Sequence, residues 1–122
     1  MNVTKRVRGN VDILDLEGKI TIGSYQDLGN GVANSLLEGS RKIILNMLDV
    51  TVVDASGIGE LVACRSKVVN REGKMKLLNI PPELKEIFEV NQLIIVFEVF
   101  EDEDEAVASF SEPVPSRCSN CG

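Results

Sequence analysis

The sequence predicts an α/β domain built on a mixed sheet of four or five strands with about four helices. Three observations predict it. Short apolar segments alternate with stretches of helical periodicity, giving the order β-β-α-β-α-β-α-β-α. Gly9-Asn10 stands between the first two apolar segments and signals a hairpin turn. Ile43 to Met47 is nearly continuously apolar, as expected of a central strand buried on both faces. Crossover connections through helices demand parallel strands, so the core of the sheet is parallel and the hairpin antiparallel.

Val3 and Val7 mark the first strand. Val11, Ile13, Leu14 and Leu16 mark the second, which runs to Glu17-Gly18. Residues 19–22 continue extended or form a loop. From Ser24 to Glu38 the apolar positions Tyr25, Leu28, Val32 and Leu36 follow the i, i+3/i+4 rule, and Gly39 supplies the stop. After the central strand comes a polar turn, then a helix from about Ser56 to Glu72 that buries Ile58, Leu61, Val62, the stem of Arg65, Val68 and Val69. Met75 to Leu78 is a short strand, and Pro82 opens a helix carrying Leu84, Ile87 and Phe88. Leu93 to Phe100 holds a last strand in part. Glu101 to Glu105 opens the last helix, with Ala106, Val107 and Phe110 apolar. This acidic run reads as a solvated helix N-terminus that complements the macrodipole, or alternatively as an acidic docking surface. The domain therefore covers residues 1–110, and residues 111–122, with two prolines, several Ser and little that is apolar, read as a flexible tail.

A net charge of −6 argues against general nucleic-acid binding, and the absence of Trp with a single Tyr argues against a base-stacking platform. No apolar stretch approaches the ~18 residues of a membrane span, and the basic N-terminus lacks the apolar core of a secretory signal. Three cysteines do not form a secreted disulfide framework. A cytoplasmic location is expected, without insertion in a membrane.

The chain has no histidine, which removes Ser-His-Asp and Cys-His systems and histidine-containing zinc sites. It has no P-loop or dinucleotide-binding fingerprint, and Ser56-Gly57-Ile58-Gly59 is too short to cradle a phosphate as a glycine loop. One carboxylate, Asp54, beside one hydroxyl is not a general-base system. An enzyme is disfavoured, and no cofactor or metal is expected. Cys118 and Cys121 have Cys-x-x-Cys spacing but supply two of the four ligands of a structural zinc site. They read as thiols of the tail, or alternatively as half of a shared metal site or redox switch. Cys64 reads as a small buried hydrophobe.

The most informative segment is Thr51 to Leu61. A strand delivers the chain to a helix with Ser56 at its mouth, where backbone N–H groups lack partners and the macrodipole is positive. Ser56 or Asp54 is the N-cap on the simplest reading. The small neighbours Ala55, Gly57 and Gly59 leave room for another protein to approach the hydroxyl, and a phosphate placed there would be held by the helix donors.

The run from Arg41-Lys42-Ile43-Ile44-Leu45-Asn46 through Val53-Asp54-Ala55-Ser56-Gly57-Ile58-Gly59-Glu60-Leu61 resembles the bacterial anti-sigma-factor antagonists of the STAS domain family. That family carries Asp-x-Ser/Thr-Gly-[Leu/Ile]-Gly at the start of a helix after a buried strand. Leu16 to Thr21, Gly73 to Pro81 and residues 84–93 resemble further family segments, so the likeness covers about residues 3–110. The resemblance implies a partner-switching protein of transcription regulation. Unphosphorylated, such a protein binds an anti-sigma factor that is also a serine kinase of the histidine-kinase-like ATPase type, and so releases a sigma factor. The kinase phosphorylates the antagonist, and a metal-dependent PP2C-type phosphatase resets it. The phosphoacceptor falls on Ser56, and the partner surface on Asp54, Ala55, Gly57, Ile58 and Gly59, with Thr21 beside it. Thr21 stands where many members carry an Asp. Either its hydroxyl or that of Thr51 is expected to hydrogen-bond the site. Other members of the family act as scaffolds in stress-signalling complexes or as regulatory subunits of transport systems, and that is the alternative role.

Overall fold

The computed structural model describes residues 1–92 and 96–111. The chain runs β1 (Asn2–Arg8), β2 (Val11–Ile20), α1 (Tyr25–Leu37), β3 (Lys42–Val53), α2 (Ala55–Asn70), β4 (Lys74–Leu78), α3 (Pro82–Val90), β5 (Val99–Phe100) and α4 (Glu103–Ser111). The strands form one sheet in the order β1-β2-β3-β4-β5. β1 pairs antiparallel with β2, and the other neighbours are parallel. The expected mixed α/β architecture is therefore present, with five strands and four helices among the described residues.

Both faces of the sheet are covered, as the unbroken apolar run of β3 requires. On one face Leu14, Ile43, Leu45, Met47 and Leu77 pack with Leu28 and Val32 of α1, Leu61, Cys64 and Val68 of α2, and Leu84 and Phe88 of α3. On the other, Val11, Ile13, Ile44 and Leu78 pack against Ala106 of α4. The period of two sends successive residues of each strand to opposite faces. Ile43 thus faces α1–α3, and Ile44 faces α4.

Several boundaries differ from the sequence expectation. β2 does not stop at Glu17-Gly18 but continues to Ile20. Gly18 adopts φ +112, which glycine alone tolerates, and the β2–β3 register shifts between Gly18 and Lys19. The apparent strand end is a β-bulge. β3 is likewise longer, reaching Val53 rather than ending near Met47. Val50, Thr51, Val52 and Val53 are β-branched and favour extended backbone, so no polar turn intervenes before Asp54. α2 starts at Ala55 and ends at Asn70, two residues before the expected end at Glu72. Of the residues expected to be buried on α2, Val62 and Val69 are exposed. The last strand is confined to Val99–Phe100, and residues 93–95, on which part of that expectation fell, lie outside the described residues. α4 includes Ser111. The rest of the expected tail, with Cys118 and Cys121, also lies outside them.

The acidic run before α4 is tied into the fold at several points, although Glu101, Asp102, Asp104 and Glu105 stay exposed. Asp102 accepts the backbone N–H groups of Asp104 and Glu105 and so caps the helix. Glu103 is held by Arg6 and Arg8 of β1 at 2.8 and 2.9 Å, and Glu101 by Lys85 at 3.2 Å. At the other end of α4 the buried Lys76 donates to Ser109 Oγ at 2.7 Å and lies 4.3 Å from the centre of the Phe110 ring.

Candidate functional site

Ser56 lies where β2 and β3 end side by side. Ile20 is in register with Val53, and both chains then turn into helices, α1 and α2. Asp54 joins the two segments. Its backbone N–H donates to the Ile20 carbonyl at 3.2 Å. One carboxylate oxygen accepts from Gly57 N at 2.9 Å and the other from Ile22 N at 3.1 Å. Its carbonyl accepts from Ile58 N at 2.9 Å. Asp54, with extended backbone at φ −100 and ψ −174, is therefore the N-cap of α2. Ser56 is not the cap but the second residue of the first turn, and it is half-buried. Among the described residues, none of the capping bonds uses its hydroxyl.

The small residues around Ser56 divide into two kinds. A Cβ on Gly57 would stand 2.1 Å from the Ile20 carbonyl oxygen and 2.9 Å from Ile20 Cγ2. Gly57 is buried, and its missing side chain lets the first turn of α2 rest on the end of β2. It is small for an internal reason, contrary to the expectation that it clears an approach path. Ala55 and Gly59 are exposed, and a Cβ on Gly59 would meet nothing. Ile58 is half-buried and packs on the main core.

Thr21 sits across from this turn, half-buried in the β2–α1 connection. Its carbonyl accepts from Ser24 N and Tyr25 N at 2.9 and 2.8 Å, its N–H donates to Ser24 Oγ, and its hydroxyl lies 3.3 Å from Ser24 Oγ. The Thr51 hydroxyl donates to the Gly18 carbonyl at 3.3 Å, tying down the bulge. Each threonine hydroxyl serves its own turn rather than bonding Ser56, which corrects that expectation.

The electrostatics follow from this layout. Gly57 N is taken by Asp54, which leaves the Ala55 and Ser56 N–H groups as the donors of α2 without an intrahelical acceptor. Within residues 17–29 and 46–64 Lys19 is the only cation. An anion at Ser56 would therefore be held by backbone N–H groups and the helix dipole, not by an ion pair. Asp54 spends both carboxylate oxygens on backbone donors, so it is poorly placed to take a proton from Ser56. Around the mouth of α2, Ile22 is 76% exposed and Val52 41% exposed. Along the helix Ala55, Gly59, Val62, Ser66 and Val69 form one outward stripe of small or apolar residues. Sequence reasoning missed Val62 and Val69 as surface, because apolar residues on a periodic pattern read as core, and it assigned Ile22 no role.

Cys64 is buried on the inner side of α2, where burial and the nearby Glu60 push its thiol up to about 12. It is a packing residue, not a nucleophile.

The described residues contain no helix long and apolar enough to cross a membrane. BtrV of Bordetella bronchiseptica, provisionally named an anti-sigma factor antagonist, is 20% identical over 100 residues, which cover 82% of this chain and 86% of BtrV. SpoIIAA, an anti-sigma factor antagonist of Bacillus, has been solved in unphosphorylated and phosphorylated forms. The unphosphorylated form aligns with a TM-score of 0.67 at 18% identity, over 90% of this chain and 98% of SpoIIAA. A sulfate transporter family protein from Wolinella succinogenes aligns with a TM-score of 0.73 at 26% identity, over 86% of this chain and 88% of that one. The model of the STAS domain matches residues 2–106, from the first residue of β1 into α4, and the chain belongs to the STAS domain family.

Proposed function

We propose that this chain is an anti-sigma-factor antagonist that works as a phosphorylation-controlled partner switch. With Ser56 unphosphorylated it binds an anti-sigma factor that is also a serine kinase, and so releases a sigma factor for transcription. Transfer of a phosphate to Ser56 ends that binding, and a PP2C-type phosphatase restores it. The chain itself performs no catalysis, and on this reading it works in the cytoplasm.

The observation that carries the reading is the division of labour between Asp54 and Ser56. Asp54 supplies the cap and the link to β2, which leaves the Ser56 hydroxyl without a structural duty in the first turn. A serine kept for stability alone would be expected at the cap position. The exposed Ile22, Ala55, Gly59 and Val62 offer a partner an apolar surface around that hydroxyl. Ile58 and Gly57 hold that surface in place from within, and Thr21 orders the loop that carries Ile22. The existence of SpoIIAA in a phosphorylated form adds support from a protein of the same fold.

A second reading has a specific observation in its favour. The 26% identical Wolinella succinogenes protein belongs to a sulfate transporter family, so the domain could serve as a non-catalytic scaffold or regulatory part of a transport system. Intact mass of wild type and Ser56→Ala, after incubation with ATP and candidate kinases of the histidine-kinase-like ATPase type, separates the two. One added phosphate on wild type alone supports the switch. No transfer, together with tight partner binding that ignores Ser56→Ala, supports the scaffold and refutes the switch.

A further inference from the structure

The far end of α2 carries a surface that the switch does not use. The chain carries 13 Lys and Arg against 19 Asp and Glu, so unpaired cations beside an exposed apolar surface stand out. Lys5, Arg6, Arg8, Lys76 and Lys85 each pair with a carboxylate. Among the described residues Lys19, Arg41, Lys42, Arg65, Lys67, Arg71 and Lys74 form no ion pair, and of these Lys67 and Arg71 line one groove. Lys67 and Arg71 are one turn apart at the end of α2. The neighbouring Arg41 donates to the Leu36 and Ser40 carbonyls and adds its charge there. Of the nearby carboxylates, Glu38 is occupied by Lys5, which leaves Glu72 against this group.

Lys67 and Arg71 line a groove of about 400 Å³ between the C-terminal halves of α1 and α2, together with Ala33, Leu36, Leu37 and Asn70. Its lining is mainly apolar, and Leu37 stands 73% exposed at its lip. We infer that this groove docks an acidic amphipathic helix of a partner protein, which lays its apolar side on Leu36 and Leu37 and its carboxylates against Lys67 and Arg71. Charge complementarity selects the occupant. A concave aliphatic floor between two helices fits a convex helix. An anionic bilayer would meet one protruding leucine on a chain of net charge −6, and nucleic acid would find no aromatic surface to stack on. Eleven or more residues of helix separate the groove from Ser56, about 17 Å along the axis or more. Docking here is therefore independent of the phosphorylation state of Ser56, and the domain holds one partner while exchanging another.

The test uses the full chain, labelled with ¹⁵N, and a synthetic helical peptide of about 15 residues with leucines on one face and glutamates on the other. Its lysine-for-glutamate twin and vesicles of phosphatidylglycerol in phosphatidylcholine are the comparison probes. The expected result is amide shifts centred on Leu37, Lys67, Asn70 and Arg71 with the acidic peptide. Binding should weaken several-fold between about 20 and about 300 mM salt. It should be lost in Lys67→Glu with Arg71→Glu, be weakened in Leu37→Ser, and be unchanged in Ser56→Asp. Amide spectra away from the groove establish that the variants are folded. No shifts at millimolar peptide, shifts elsewhere, equal binding of the lysine twin, groove shifts with vesicles alone, or indifference to charge reversal would each overturn the inference.

Discussion

Gly57→Ala and Gly59→Ala should move stability in opposite directions, although both replace a glycine in the first two turns of one helix. On intrinsic propensity alone each gains about 0.5–1 kcal/mol, since Ala loses less backbone entropy than Gly. At Gly59 nothing stands within 4 Å of the added Cβ, so the full gain is expected. At Gly57 the Cβ would fall 2.1 Å from the Ile20 carbonyl oxygen, and that atom belongs to the backbone of a paired strand. Neither rotamer change nor a flexible tip relieves the contact, so the first turn of α2 must lift by an ångström or more. Overpacking of this kind costs about 1–3 kcal/mol. Lifting the turn also stretches the 2.9 Å bond from Gly57 N to Asp54, and losing a cap costs about 1 kcal/mol more. The net expectation is destabilisation by about 1–3 kcal/mol for Gly57→Ala and stabilisation by about 0.5–1 kcal/mol for Gly59→Ala. Urea titration followed by far-UV circular dichroism, with equal slopes for all three proteins, gives both values. A Gly57→Ala protein as stable as wild type would refute the close approach of α2 to β2, and with it the placement of Ser56.

Asp54→Ala should cost about 1–2 kcal/mol, because it orphans the Gly57 and Ile22 N–H groups together; the same titration measures it. Arg6 and Arg8 hold the Glu103 carboxyl below its ordinary range, and Arg6 does the same for Asp15. A depressed carboxylate pKa stabilises the fold above the unfolded value and loses that contribution as pH falls through the folded one. The docking of α4 should thus weaken below about pH 4, and Glu103→Gln, losing about 0.5–1 kcal/mol at neutral pH, should flatten the acid limb of stability against pH. Cys64 should resist alkylation at pH 8 in the native protein and react once unfolded, as peptide mapping would show; native labelling at the rate of a free thiol would contradict its burial.

The architecture was legible because periodicity reports burial. The apolar run of β3, the 3.6-residue stripes of α1 and α2 and the Gly9-Asn10 turn each state which faces are covered. The departures from expectation share one cause: strand pairing outweighs local chemistry. Gly18 signals a stop in isolation, yet within a paired strand its positive φ makes a bulge that carries β2 on to Ile20. A polar turn is expected after the apolar run that ends near Met47, yet the β-branched residues 50–53 extend β3 alongside β2 to Val53. The contest between Asp54 and Ser56 for the cap could not be resolved from composition, since both residue types cap well. What resolves it is the Ile22 N–H, which only the β2–α1 connection brings to the second Asp54 oxygen. Gly57 shows the reverse problem. Its identity was noticed, but its reason lies thirty-seven residues away at Ile20.

The same geometry predicts how little a phosphate on Ser56 would disturb the fold. The added charge is about −1.5 to −2. In the first turn it gains about 0.3–1 kcal/mol from the macrodipole and from the N–H groups left open there. Against this stands the Asp54 carboxylate, whose two hydrogen bonds keep it in place. Two unit charges about 6 Å apart repel by roughly 0.7 kcal/mol in water, and double that for a dianion. The terms offset to within about 1 kcal/mol, so the phosphorylated chain should unfold within about 1 kcal/mol of the unmodified one. At a closed interface the balance changes, because burying an unpaired dianion against apolar Ile22, Ala55 and Val62 costs several kcal/mol. Phosphorylation should therefore weaken partner affinity by at least about a hundredfold, or about 2.7 kcal/mol, while leaving stability nearly untouched. Calorimetric titration of a partner kinase with the two forms, beside their urea curves, measures both quantities. A large loss of stability on phosphorylation would mean that the switch acts by melting the first turn of α2, and the electrostatic account would fail.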